Sequence, residues 1–267
     1  MLQLSGVWNL RDVGGVTMTD GATLRSGRFL RSGQLSALDD AGQRMLTDLG
    51  VGDVADLRSR HEIEKYGHDR VPNRVVVHNL PFPDTDGASG EAPHEYAFER
   101  IVGEGVSSDE LPAAAMRFMS QEYARFATLG GARRAVGRLI SLLADGRPVI
   151  AHCFAGKDRT GFVVAVVLAA VGVEWDAILA DYLRSNDAVP HLRETMLAML
   201  SQRDDMSSKA TELARTRLTD NFLGVRPEYL NSARDSITQN YGSLEGYLRA
   251  SGVQQAHVDA LRAALFT

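Results

Sequence analysis

Val149-Ile150-Ala151-His152-Cys153-Phe154-Ala155-Gly156-Lys157-Asp158-Arg159-Thr160-Gly161 decides how this chain is read. Val149 to His152 follow the Gly146-Arg147-Pro148 turn and read as a short apolar strand. Cys153 to Gly156 form a loop, and a helix starts near Asp158–Thr160. That helix is apolar nearly all round, which predicts burial. The amides of such a loop and the helix N-terminus together make a concave site for an anion. The positive end of a helix also favours the thiolate of a nearby cysteine, its nucleophilic form. Arg159 offers a planar fork for two phosphoryl oxygens. Thr160 brings a hydroxyl that can stabilise sulfur as a leaving group, and Gly156 lets the backbone curl around the anion. The binding set is thus Phe154, Ala155, Gly156, Lys157, Arg159 and Thr160 around the nucleophile Cys153.

Working outward, strands are expected at Phe29–Ser32, Val54–Leu57 and Val75–Leu80. Ser36 and Asp39 resemble a capping box before a helix carrying Leu38, Met45, Leu46 and Leu49, with Gly50 as its stop. Helical spacing recurs over about 112–128 and 131–145, and nearly everything from Glu174 onward reads as helix. Strands alternating with helices predict an α/β fold, a mostly parallel central sheet flanked by helices on both faces. No linker divides the chain, so residues 1–267 are expected to form a single domain. Residues 81–112 break into a Pro- and Gly-rich loop, with a short helix expected around His94–Ile101.

Composition narrows the function classes. The net charge of −5, with no basic tail, argues against nucleic-acid partners. The longest apolar run, Gly161–Val173, has 13 residues and is too short for a transmembrane segment. Cys153 is the single cysteine, so no intrachain disulfide can form. The remaining histidines lack metal-ligand spacing, so no metal site is expected. Ala151 and Asp158 break the Gly-x4-Gly-Lys-Ser/Thr pattern of nucleotide-binding loops.

Cys153-x5-Arg159, with His152 before it and Thr160-Gly161 after it, is the signature of the protein tyrosine phosphatase superfamily. The flanking runs Trp8–Val13, Asp53–Ser59, Leu80–Asp84, Ala180–Asp187 and Tyr241–Leu244 resemble those of the atypical tyrosine, dual-specificity and lipid phosphatases of mycobacteria. The resemblance covers nearly the whole chain and departs mainly over Thr85–Leu111. It implies a tyrosine-phosphatase-like fold with a helical lid within about 190–240. It further implies phosphorylated proteins and phosphoinositides as partners, no cofactor, and a secreted effector, although no ordinary signal peptide begins the chain.

Two aspartates compete as the general acid that protonates the leaving oxygen. Asp158 lies inside the loop, and Asp84 ends the Leu80–Asp84 segment, whose loop could carry it over the pocket. Asp158 is preferred; helix capping is its bland alternative. Lys157 is read as a second cation at the rim for multiply phosphorylated head groups, or as a solvated surface lysine. His152 is expected to brace the loop. Arg11-Asp12 and Asp56-Arg58 are expected to be structural ion pairs or backbone braces near the sheet's edge. Met196, Met199, Leu200, Met206 and Leu213 form an apolar stripe, core or lid. Rival readings are a Mg-dependent phosphohydrolase using Asp84-Thr85-Asp86, a sulfurtransferase, and a phosphate-binding module without turnover.

Overall fold

The computed structural model describes residues 5–18, 21–82, 110–201 and 216–266. Five strands make one sheet: β1 (Arg11–Asp12), β2 (Phe29–Ser32), β3 (Asp53–Asp56), β4 (Val76–Asn79) and β5 (Val149–His152). Their order is β1-β2-β5-β3-β4. β1 runs antiparallel to β2, and every other pairing is parallel. β5 is central, so the strand that delivers Cys153 is paired on both sides, with Ala151 beside Arg31 and Ala55.

Side chains alternate across a strand, and here the alternation divides the apolar residues between two cores. Phe29, Ala55, Val149 and Ala151 face the larger cluster. Leu30, Val54 and Ile150 face a smaller one with Leu38 and Leu46. Helix α1 (Asp40–Asp48) covers the smaller side through Leu46. The larger side is covered by α3 (Leu111–Phe126), α4 (Gly130–Ala144), α5 (Asp158–Ala170) and α9 (Pro227–Tyr241). Over β2, β5 and β3 both faces of the sheet are therefore covered, as parallel strands require, while the edge strand β4 stays largely exposed. The run Arg159–Leu168 of α5 is buried throughout.

The remaining helices are α2 (Arg60–Tyr66), α6 (Trp175–Leu183), α7 (Val189–Ser201), α8 (Asp220–Leu223), α10 (Leu244–Ala250) and α11 (Gln255–Leu265), with a 3₁₀ turn at Arg184–Ala188. The α/β architecture is as the sequence implied. Local details differ. Asp39 alone caps α1, through the Gly42 amide, so Ser36 plays no such part. β4 stops at Asn79. Asp84, the expected helix at His94–Ile101, and Met206 and Leu213 lie outside the described residues. Met196 is buried and belongs to the larger core, with Met199 and Leu200 packed against it.

Candidate active site

The loop after β5 is shaped from behind. Gly156 adopts a left-handed conformation, φ 64°. A Cβ there would stand 2.1 Å from the Ser32 carbonyl oxygen, so glycine is required on both counts. The loop's carbonyls are drawn outward by two donors. Asn9 Nδ2 donates to Ala155 O at 2.9 Å and Gly156 O at 3.1 Å. Arg31 Nη2 donates to Gly156 O at 3.0 Å. Carbonyls turned away leave the amides to face an anion. Phe154 clamps the loop by its ring, packed on Tyr66 at 4.8 Å and Trp8 at 6.3 Å. Its contribution to phosphate binding is therefore limited to the backbone.

Arg31 and Arg11 are themselves fixed by Asp181 of α6. Arg11 Nε donates to Asp181 Oδ1 at 2.8 Å and Arg31 Nη1 to Oδ2 at 2.7 Å. Burial opposes ionisation of Asp181, but the two arginines outweigh it and lower its pKa. Arg11 and Asp12 thus act as backbone braces, the second of the two roles expected, and not as a pair with each other. Asp12 instead accepts the Gly14 and Gly27 amides. The Asp56–Arg58 pair is present at 2.8 Å.

Arg159 opens α5 and is buried beside Glu62 of α2. Nη1 donates to Glu62 Oε2 and Nη2 to Oε1, both at 2.6 Å, and Nη1 also reaches the Leu57 carbonyl at 3.3 Å. Nε has no partner among the described residues. A guanidinium has five N–H donors. Glu62 takes its end edge, so the edge formed by Nε and the second hydrogen of Nη2 remains for two phosphoryl oxygens. Burial disfavours the charges of both partners. Their mutual attraction wins, raising the pKa of Arg159 and lowering that of Glu62. Glu62 is held in turn by a capping box, Ser59 N to its Oε2 at 2.8 Å and its own amide to Ser59 Oγ at 3.1 Å. Sequence reading missed this residue, although Ser59-x-x-Glu62 is itself a helix-start signal.

His152 braces the loop as expected. One ring nitrogen lies 3.2 Å from Cys153 O and the other 2.8 Å from Asp69 Oδ2. Burial opposes its charge, but Asp69 and Asp56 raise its pKa to about 9. Asp56, Asp69 and His152 bring ligand-type atoms within 4.8 Å of one another. Arg58 donates to both carboxylates at 2.8 Å, so the cation among them is the protein's own.

Cys153 is buried at the head of the loop. Lys157 is buried too, and its ammonium donates to the Leu223 carbonyl at the end of α8. It is neither a solvated lysine nor an open cation at the rim. Asp158 is buried; its Oδ1 accepts from Tyr123 Oη at 2.9 Å and its Oδ2 lies 3.7 Å from Lys157 Nζ. Thr160 Oγ1 is buried with no partner among the described residues, so its donor is unspent. Helix α5 has no side-chain cap, which leaves its first amides unclaimed by any cap. The arrangement brings a cysteine, the amides of its loop and an unclaimed arginine edge into one segment.

Known proteins place the chain in a family. The sequence profile of the tyrosine phosphatase family matches residues 2–267. The triple specificity protein phosphatase PtpB of Mycobacterium tuberculosis is 52% identical, the match covering 98% of both chains. A putative tyrosine-protein phosphatase of Cupriavidus necator is 30% identical over 93% of this chain and 82% of its own. A tyrosine-protein phosphatase of Nostoc commune is 28% identical over 47% of this chain and 41% of its own. With the Cys153–Arg159 loop set as such chemistry requires, the chain belongs to the tyrosine phosphatase family, as a cysteine-dependent phosphatase.

Proposed function

We propose that this phosphatase has broad specificity, hydrolysing phosphoserine/threonine and phosphoinositides as well as phosphotyrosine, and that Asp158 is its general acid. Cys153 Sγ attacks phosphorus in line as the ester P–O bond breaks. Asp158 gives its proton to the departing oxygen. The Arg159 edge and the loop amides hold the three equatorial oxygens. Water then attacks the phosphocysteine, Asp158 takes a proton from it, the S–P bond breaks, and phosphate leaves with the thiolate restored.

The observation that carries this reading is the placement of Asp158 and Lys157 within the nucleophile's own loop, their charged ends 3.7 Å apart. An acid carried by the loop does not depend on the leaving group's shape, so tyrosyl, seryl and inositol oxygens are served alike. The name of the M. tuberculosis relative, a triple specificity protein phosphatase, favours the same breadth. The hold of Leu223 on Lys157 supports a lid within about 190–240 that covers the lysine when closed and releases it to a second phosphate when open.

The test is kcat/KM in EDTA for a phosphotyrosyl peptide, a phosphoseryl peptide and a soluble phosphoinositide, with Cys153→Ser as the blank. Comparable turnover of all three is expected. Turnover of the phosphotyrosyl peptide alone would remove the broad specificity, and activity surviving in Cys153→Ser would remove the mechanism.

A further inference from the structure

Behind Asp158 lies a chain of phenols that the phosphatase mechanism leaves unexplained. Tyr182 Oη donates to Tyr123 Oη at 2.7 Å, and Tyr123 Oη donates to Asp158 Oδ1 at 2.9 Å. Both rings are buried, Tyr123 wholly so. They come from different helices, α3 and α6, which both pack against α5. The Tyr182 ring lies so close on α5 that a Cβ at Gly161 would meet it at 2.8 Å. For packing alone, two phenylalanines would serve, since burying a hydroxyl is unfavourable unless it is hydrogen-bonded. Here both hydroxyls are used in series, and the series ends on the carboxylate.

We propose that Tyr123 and Tyr182 are positioning residues for proton transfer: their hydroxyl chain occupies Oδ1 of Asp158, so that the exchanged proton is carried on Oδ2. This rests on Asp158 being the general acid. Oδ2 faces Lys157 Nζ, whose hydrogen bond is directed to Leu223 O. Hydrogen bonds donated to an ionised carboxylate are stronger than those donated to its neutral form. The phenols therefore favour the state in which Asp158 has released its proton to the leaving oxygen, and they hold that state oriented for the water of the second step. Burial, and the charge of Asp158, raise the pKa of both phenols well above 10, so they remain donors throughout the working range. The charged and titratable groups facing the carboxylate are Tyr123 from α3, Tyr182 from α6, Tyr229 from α9, and Lys157 and Arg159 beside it in sequence.

The experiment compares pH profiles of kcat/KM for wild type, Tyr123→Phe, Tyr182→Phe and Asp158→Asn. Two substrates are used: a phosphoseryl peptide, whose leaving alkoxide needs the proton, and p-nitrophenyl phosphate, whose leaving group does not. With its donor gone, Asp158 binds its proton more tightly. On the peptide, the basic limb of Tyr123→Phe is expected to move up by about half to one pH unit. On p-nitrophenyl phosphate the variant should stay near wild type. Tyr182→Phe should move the limb the same way by less, and it carries the test if Tyr123→Phe fails to melt as a folded protein. An unmoved limb, or equal proportional losses on both substrates at every pH, overturns the proposal. If Asp158→Asn itself keeps the wild-type limb, the general-acid assignment falls and this proposal with it. If Asp158→Asn loses the limb while the tyrosine variants keep it, only the positioning role falls.

Discussion

Glu62→Gln separates the folding role of the buried Glu62–Arg159 pair from its catalytic one. Gln retains the oxygen that accepts Ser59 N and Arg159 Nη1, so the cap of α2 survives. Its amide NH₂ then faces Nη2, which loses a 2.6 Å charge-assisted bond and meets a second donor. One such bond is worth roughly 1.5–3 kcal/mol, while breaking a buried ion pair outright costs about 3–5 kcal/mol. A stability loss of about 2–4 kcal/mol is expected, between these bounds. At roughly 2–4 °C per kcal/mol for a chain of this size, Tm should fall by about 4–16 °C. The same change frees the guanidinium to swing its Nε edge out of line. A loss of about 10–100-fold in kcat/KM should follow, which corresponds to about 1.4–2.7 kcal/mol of transition-state stabilisation. Orthovanadate, which imitates the transition state, should bind more weakly by a similar factor, while KM for p-nitrophenyl phosphate changes less. The assay is steady-state kinetics alongside thermal melting. A lowered Tm with wild-type kcat/KM and wild-type vanadate affinity would refute the reasoning, because Glu62 would then serve the fold and not the arginine's edge.

Three further outcomes are expected. Gly156→Ala should abolish turnover and weaken phosphate inhibition, because its Cβ would fall 2.1 Å from Ser32 O at a φ of 64°; near-normal kinetics would show that the loop can take another shape. Asp181→Asn should lower stability by about 3–5 kcal/mol, since Arg11 and Arg31 both lose their buried counter-charge; denaturant titration measures it, and a loss under 1 kcal/mol would contradict the bracing role. His152 has a raised pKa of about 9 in the fold against an ordinary value of 6.5. Its contribution, up to about 3 kcal/mol, is therefore full below pH 6.5 and lost as pH rises through 9. Tm should decline across that window in wild type and much less in Asp69→Asn, and parallel curves would remove the assignment.

The parts of the site that were legible in the sequence are those written locally. Phe29–Ser32 and Val149–His152 are strands with the bounds their apolar runs indicate, and the helix after the loop begins at Asp158. Cys153, Gly156, Arg159 and Thr160 are adjacent in one segment, so spacing alone groups them. The residues that hold the segment in shape are distant: Asn9 is 146 positions from Ala155, Arg31 is 150 from Asp181, and Glu62 is 97 from Arg159. No local period links such pairs, because their meeting depends on strand order and helix packing. Lys157 was misplaced for the same reason: its contact, Leu223, lies 66 residues further on. The capping of α1 by Asp39 rather than Ser36 is a smaller error, one of choosing between two neighbouring acceptors.

The outward pull on the loop carbonyls has a consequence for how the enzyme comes into being. Asn9 and Arg31 exist early on the ribosome, but Arg31 is aimed only once Asp181 has emerged and docked. The anion cradle is thus assembled by the chain's closing half acting on its opening half. A chain that stops before Asp181 would carry the cysteine and the arginine yet lack the carboxylate that aims Arg31 at the loop. Full bracing of the loop therefore waits on synthesis as far as Asp181, some thirty residues beyond the cysteine it serves.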